Sequence, residues 1–207
     1  MKKVTLLAAT ALFTFAMTAC GGGETKKAEE VKAAPVEAEA KTITVDAATS
    51  TVEWEGNMVG MYAHSGTVVL KEGSLEWKGN DLVGGNFVID MTSINPTDSN
   101  YSEEHTAEQL IGHLGTADFF DVANNPTASF EITGSDMTTG TVSGNLTVRG
   151  KTNPATINNV KFDDGSGTAM GTLTFDRQQY GVAYKSTMKD MVLSDDITLN
   201  ITLKPAA

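Results

Sequence analysis

The stretch Thr141-Val142-Ser143-Gly144-Asn145-Leu146-Thr147-Val148 puts small or apolar residues at every second position and polar ones between them. Successive side chains of a strand point to opposite faces, so this two-residue period predicts a strand with one buried and one wet face. The period recurs upstream. Val52 and Trp54 alternate with Thr51, Glu53 and Glu55; Phe87, Ile89 and Met91 with Asn86, Asp90 and Thr92; Ala128, Phe130 and Ile132 with Ser129, Glu131 and Thr133. Downstream, Ala169, Gly171, Leu173 and Phe175 alternate with Thr168, Met170, Thr172 and Thr174, and Ile197, Leu199, Ile201 and Leu203 with Thr198, Asn200 and Thr202. Turn signals punctuate the runs at Lys71-Glu72-Gly73, Lys78-Gly79-Asn80-Asp81, Thr138-Thr139-Gly140 and Asp163-Asp164-Gly165-Ser166-Gly167. One apolar face and short connections mean antiparallel sheet. About eight such strands predict an all-β fold, an extended antiparallel β-barrel, with a two-sheet sandwich as the other arrangement.

One segment breaks the alternation. Residues Ser102 to Gly115 open with a Ser cap and early acids, carry Ala107, Leu110, Ile111 and Leu114 at helical spacing, and stop at glycine. This pattern predicts one short amphipathic helix, about 102–115, lying on or across the barrel.

The N-terminus reads as an address. Met1-Lys2-Lys3 is a basic start, and Val4 to Met17 is an apolar run too short for a bilayer span, which needs about 20 residues, but suited to a secretory leader. Met17-Thr18-Ala19-Cys20 resembles a bacterial lipobox, in which the cysteine is lipidated and becomes the first mature residue. The resemblance implies a lipoprotein signal peptide at 1–19 and a lipid anchor on Cys20. With Gly21 rather than Asp next, it also implies sorting to the outer membrane, facing periplasm or exterior. Loss of Lys2 and Lys3 with the leader makes the mature chain two charges more acidic than −11. Residues 20–41 are almost all Gly, Ala, Glu, Lys, Thr, Val and Pro without an aromatic, too poor in apolar surface to fold, so they read as a flexible tether. The barrel domain is then 42–207.

Composition narrows function. With 26 acidic against 15 Lys+Arg residues, no clustered cationic surface for nucleic acid is expected. A single cysteine among the 207 residues excludes internal disulfides and Cys-rich metal sites. His64 lies on a strand, and His105 and His113 in the helical segment, without a carboxylate or thiol completing a metal set. There is no Gly-x-Ser-x-Gly elbow, no phosphate loop and no cofactor motif, so no catalytic residue, metal or cofactor is expected.

Gly112-His113-Leu114-Gly115-Thr116-Ala117-Asp118-Phe119-Phe120-Asp121, followed by Pro126 and Phe130, resembles the "HL…DFFD…P…F" core of the YceI-like family. Ile89-Asp90-Met91-Thr92-Ser93-Ile94, Gly144-Asn145-Leu146-Thr147-Val148-Arg149-Gly150 and Asp176-Arg177-Gln178-Gln179-Tyr180-Gly181-Val182 resemble further family motifs in the right order. The Arg-Asp pair that often precedes "HL" in the family is absent here. The resemblance implies a lipocalin-like barrel holding a long apolar chain, of polyisoprenoid or fatty amide or acid type, and no catalytic centre. Barrels of this type often pair, so a homodimer is a further expectation.

A barrel of about eight strands either fills its interior with side chains or holds one small ligand. The small inward residues Ala128, Gly144, Ala169 and Gly171 are read as leaving volume. Trp54, Phe87, Ile89, Met91, Phe130, Leu146, Leu173 and Phe175 are the candidate lumen lining. Arg149 and Arg177, the two arginines, are candidates for a headgroup or for salt bridges on the rim. Phe119 and Phe120 are candidates for a gate or for pinning the helix to the barrel. The expected function is binding, carriage or sequestration of an apolar or amphiphilic chain. The alternative is a structural or adhesive surface lipoprotein with a solid core.

Overall fold

The computed structural model describes residues 39–163, 165–184 and 192–207. The leader, Cys20 and nearly all of the tether lie outside the described residues. Among the described residues there are nine strands: β1 Ala40–Thr44, β2 Thr51–Met58, β3 Tyr62–Lys78, β4 Asp81–Pro96, β5 Thr127–Asp136, β6 Thr141–Val148, β7 Lys151–Asp163, β8 Thr168–Asp176 and β9 Leu193–Leu203. A helix, α1 (Ala107–Leu114), follows β4, and a 3-10 turn (Arg177–Tyr180) follows β8. They form one antiparallel sheet in the order β1-β3-β2-β9-β8-β7-β6-β5-β4, and β4 pairs back onto β3. That last pairing closes β2 to β9 into an eight-stranded barrel.

β1 and β2 act as one interrupted strand. Both run along the same edge of β3, β1 against Ser74–Lys78 and β2 against Tyr62–Val68. The break between them is tied to the C-terminus, where Asp46 N donates to Lys204 O and Lys204 N to the Ser50 hydroxyl. β1 starts inside the stretch read as tether. Its side chains are exposed except Ile43, which is half-buried, so backbone pairing with β3 holds it and composition gives no sign of it.

Lys71-Glu72-Gly73 is no turn. It sits in the middle of β3, where the register with β4 slips between Leu70 and Glu72. The extra residue is a β-bulge that switches the inward parity from Leu70 to Gly73, Leu75 and Trp77. Lost alternation beside Lys, Glu and Gly mimics a turn in sequence. The other signals do mark connections; at Lys78-Gly79-Asn80-Asp81, the two-residue loop has Gly79 at φ 64°.

The helix is shorter than the sequence pattern predicts. Ser102 closes a separate turn, its hydroxyl accepting from His105 N. The cap is Thr106, in a reciprocal capping box with Gln109: Gln109 N donates to Thr106 Oγ1 and Thr106 N to Gln109 Oε1. Leu114 is the buried residue of the helix, packed with Ile94, Phe119 and Val182 at the barrel end where β2, β4 and β8 finish.

Candidate functional site

The opposite end of the barrel is solid. Leu75, Leu82, Ile132 and Val142 are buried there, with Trp77 and Phe162 in tilted ring contact at 5.5 Å. From this plug to the helix end runs a cavity of about 820 Å³ whose wall is mainly apolar. That volume lies in the range of roughly 300–1,000 Å³ usual for small-molecule sites. Ile197, Leu199 and Ile201 of β9 line this wall and stay only half-buried because they face open space rather than packed side chains.

All eight candidate lining residues, Trp54, Phe87, Ile89, Met91, Phe130, Leu146, Leu173 and Phe175, lie on the cavity wall. The small residues work differently from the expectation. A Cβ on Gly144 would run into the Phe130 ring and the Glu131 carbonyl, and one on Gly171 would come within 2.6 Å of Ile157 Cγ2. Neighbouring side chains therefore occupy the space these glycines release. The same holds at Gly73, where a Cβ would meet Phe87 Cδ1 at 2.6 Å, and at Gly66, where it would meet Trp54 Cζ2 at 2.7 Å. Each ring lies over a glycine of an adjacent strand. Glycines thus draw the aromatic rings against the wall, and the open volume is along the axis.

Phe119 is buried between α1 and the barrel, with ring contacts to His113 at 4.8 Å and Tyr184 at 5.0 Å. Phe120 is half-buried and touches both apolar clusters. Both border the cavity at the helix end. Asp121 organises the turn beneath them by accepting from Asn124 Nδ2 at 2.9 Å. His113 sits edge-on between Phe119 and Tyr184. Among the described residues no group of three or more His, Cys, Asp or Glu side chains converges to hold a metal.

Neither arginine is free to receive a headgroup. Arg149 occupies the two-residue β6–β7 turn at φ 52°, followed by Gly150 at φ 69°. Its guanidinium donates to Gly181 O at 2.5 Å and Ala117 O at 2.6 Å, strapping two loops together outside the cavity wall. Arg177 does reach the wall, but it is 2 % exposed and donates to Val182 O at 2.6 Å, Ser194 O at 2.9 Å and the Asp195 carboxylate at 3.0 Å. It clamps the 3-10 turn to the start of β9. It pairs with Asp195, whose side chain is half-exposed, but most of its bonds go to backbone carbonyls.

Polar residues gather at the mouth, and the sequence reading weighed only two of them, His64 and His105, and those as metal ligands. Tyr62 and His64 of β3 face the cavity beside Asn100, Tyr101, His105 and Gln109. Behind His64 lies Asp98, its carboxylate 3.2 Å from Nδ1. Asp98 also accepts from Ser65 N, Asn100 N and the Tyr101 hydroxyl. Burial alone would raise its pKa, but these four donors outweigh burial and hold it at about 2. Burial, together with the same carboxylate, pushes the Tyr101 hydroxyl well above its ordinary value. His64 stacks on Tyr101 and meets Tyr62 edge-on, both at 5.1 Å. In sequence, Tyr62-x-His64 on one strand face was the available signal; Asp98 lies far along the chain, in the β4–α1 connection.

Solved structures share this architecture. The chain is similar to Burkholderia cenocepacia BcnA, with 19% identity, TM-score 0.58 and 79% of this chain covering 99% of that one. It is also similar to a polyisoprenoid binding domain from Saccharophagus degradans implicated in plant cell wall breakdown, with 14% identity, TM-score 0.54 and coverage of 79% and 97%. At these identities the likeness is one of fold. No curated protein sequence matches the chain. The YceI-like domain family, by contrast, matches residues 43–204, from β1 through to the residue after β9. The barrel, its capped end and the DFFD turn thus carry the signature of that family, and the chain belongs to the YceI-like domain family.

Proposed function

We propose that this chain is a lipid-anchored protein of the bacterial envelope that binds, carries or sequesters one long-chain apolar or amphiphilic molecule inside its barrel. The observation that carries the reading is the apolar cavity of about 820 Å³, closed by the Leu75–Val142 plug at one end and reached from the helix end. Each methylene moved from water into such a wall contributes about 0.8 kcal/mol. Ten of them supply about 8 kcal/mol, of the same order as the cost of association, so that each further methylene adds to affinity without a charged headgroup contact. The polyisoprenoid-binding description of the Saccharophagus degradans domain supports a chain-like ligand of isoprenoid or fatty type. The lipobox-like Met17-Thr18-Ala19-Cys20 supports anchorage at the outer membrane. Carriage and sequestration need no catalytic group, and the reading is non-enzymatic.

Organic extraction of protein purified from its native envelope, followed by mass spectrometry, tests it. One long-chain molecule per barrel is expected. A reproducibly empty protein that also refuses added chains would return the chain to the structural or adhesive alternative.

A further inference from the structure

We infer that His64, oriented by Asp98 at the cavity mouth, receives the polar end of the bound chain, and that this end is an uncharged hydrogen-bond donor, a primary hydroxyl group. The inference rests on the lumen-binding reading above and names the headgroup chemistry of that same site.

The hydrogen-bond inventory fixes the tautomer. A carboxylate can only accept, and Asp98 already accepts from Ser65 N, Asn100 N and the Tyr101 hydroxyl. With its pKa held at about 2 it is ionised, so the His64 Nδ1 facing it carries the proton. In the neutral form of this tautomer, Nε2 is a bare acceptor. Among the described residues Nε2 has no hydrogen-bond partner, and His64 lines the cavity with Asp98 behind it. Stacking on Tyr101 and the edge contact to Tyr62 hold the imidazole plane. Asn100 Nδ2, bonded to Ala63 O at 2.7 Å, fastens the loop that brings Asp98 to β3. The result is a preorganised acceptor at the wet end of an apolar lumen.

Among the described residues, charge at the cavity does not favour an anion. Among the described residues Arg177 is the one Lys or Arg on the cavity wall, and its guanidinium is committed to Val182 O, Ser194 O and Asp195. The His64–Asp98 pair carries a net negative charge when the ring is neutral. A carboxylate or diphosphate at the mouth would meet repulsion and a bare acceptor, whereas a hydroxyl finds the partner it needs.

The test uses the purified full chain, stripped of bound lipid, in a Trp77→Phe background so that the fluorescence of Trp54 reports entry into the lumen. The probes are 1-hexadecanol, hexadecyl methyl ether and palmitate, which share chain length and differ at the head. The alcohol is expected to bind about five- to tenfold tighter than the ether, the size of one net hydrogen bond, and tighter than palmitate. In His64→Phe, which keeps a ring for Tyr62 and Tyr101 to pack on, the alcohol is expected to lose its advantage over the ether measured in the same variant. Equal binding of alcohol and ether with His64 in place overturns the inference while leaving the lumen reading intact, and that comparison needs no change at His64. Preference surviving in His64→Phe, or tightest binding of palmitate, also overturns it. Failure of every probe to bind, the ether included, overturns the lumen reading and this inference with it.

Discussion

Replacing Arg177 separates a structural clamp from a headgroup receptor. In Arg177→Met the aliphatic length is kept and the guanidinium removed. Two of its bonds, to Val182 O at 2.6 Å and Ser194 O at 2.9 Å, are short and well shielded around a side chain only 2 % exposed. Hydrogen bonds to a charged group contribute about 1.5–3 kcal/mol each. The Leu193 contact at 3.5 Å is at the limit of a hydrogen bond and adds nothing here. The Asp195 partner is 51% exposed, so that pair adds at most about 1 kcal/mol. The expected loss is about 4 kcal/mol. For a domain of this size that lowers Tm by about 8–16 °C. Urea unfolding followed by circular dichroism reads the loss as a lower midpoint at unchanged slope. Binding of hexadecyl methyl ether by the fraction that remains folded is expected to change little. A stability loss below about 1 kcal/mol, or a selective loss of affinity for anionic chains at unchanged stability, would refute the clamp.

Asp98 sets a pH dependence. Its folded pKa of about 2 against an ordinary 3.8 corresponds to about 2 kcal/mol of stability. A depressed folded pKa means that contribution is present above about pH 4 and is lost as pH falls towards 2. Asp98→Asn should therefore cost about 2 kcal/mol at pH 7 and almost nothing near pH 2; a cost independent of pH in urea titrations argues against the assignment. Thr106→Ala removes the hydroxyl that caps α1 and should destabilise by about 1 kcal/mol in thermal melts, with no change if the capping box is idle. Gly66→Ala would press a methyl into the Asn95 carbonyl and onto Trp54 Cζ2, and should cost about 1–3 kcal/mol in urea unfolding; a neutral outcome would mean that the ring is not held over the glycine.

The barrel was legible wherever alternation survives, as in β6, where Val142, Gly144, Leu146 and Val148 all face inward as the period requires. It was obscured where bulges reset the parity. In β3 the slip between Leu70 and Glu72 makes one long strand look like two segments flanking a turn. In β7, the register shift after Asn158 and the positive φ of Asn159 move the inward set from Ile157 to Val160. Pro154 and the surrounding polar residues further hide a strand that the neighbouring β6 and β8 impose through pairing. The lumen lining was readable because burial follows the same period. The role of the glycines was not, since whether a missing Cβ opens space or admits a neighbour's ring depends on a strand paired across the sheet. The mouth was least legible. Arg177 looks like a surface cation until its carbonyl partners are seen, and nothing local in sequence joins His64 to Asp98.

The most direct test of the central claim is a crystal structure of the protein purified from its native envelope with its lipid retained. Continuous density for a single chain is expected along the barrel axis, passing Leu146 and Leu173, stopping short of the Leu75–Val142 plug and ending at the mouth beside His64. A lumen filled by the inward side chains of β9 and β4, with no room for a chain, would contradict it.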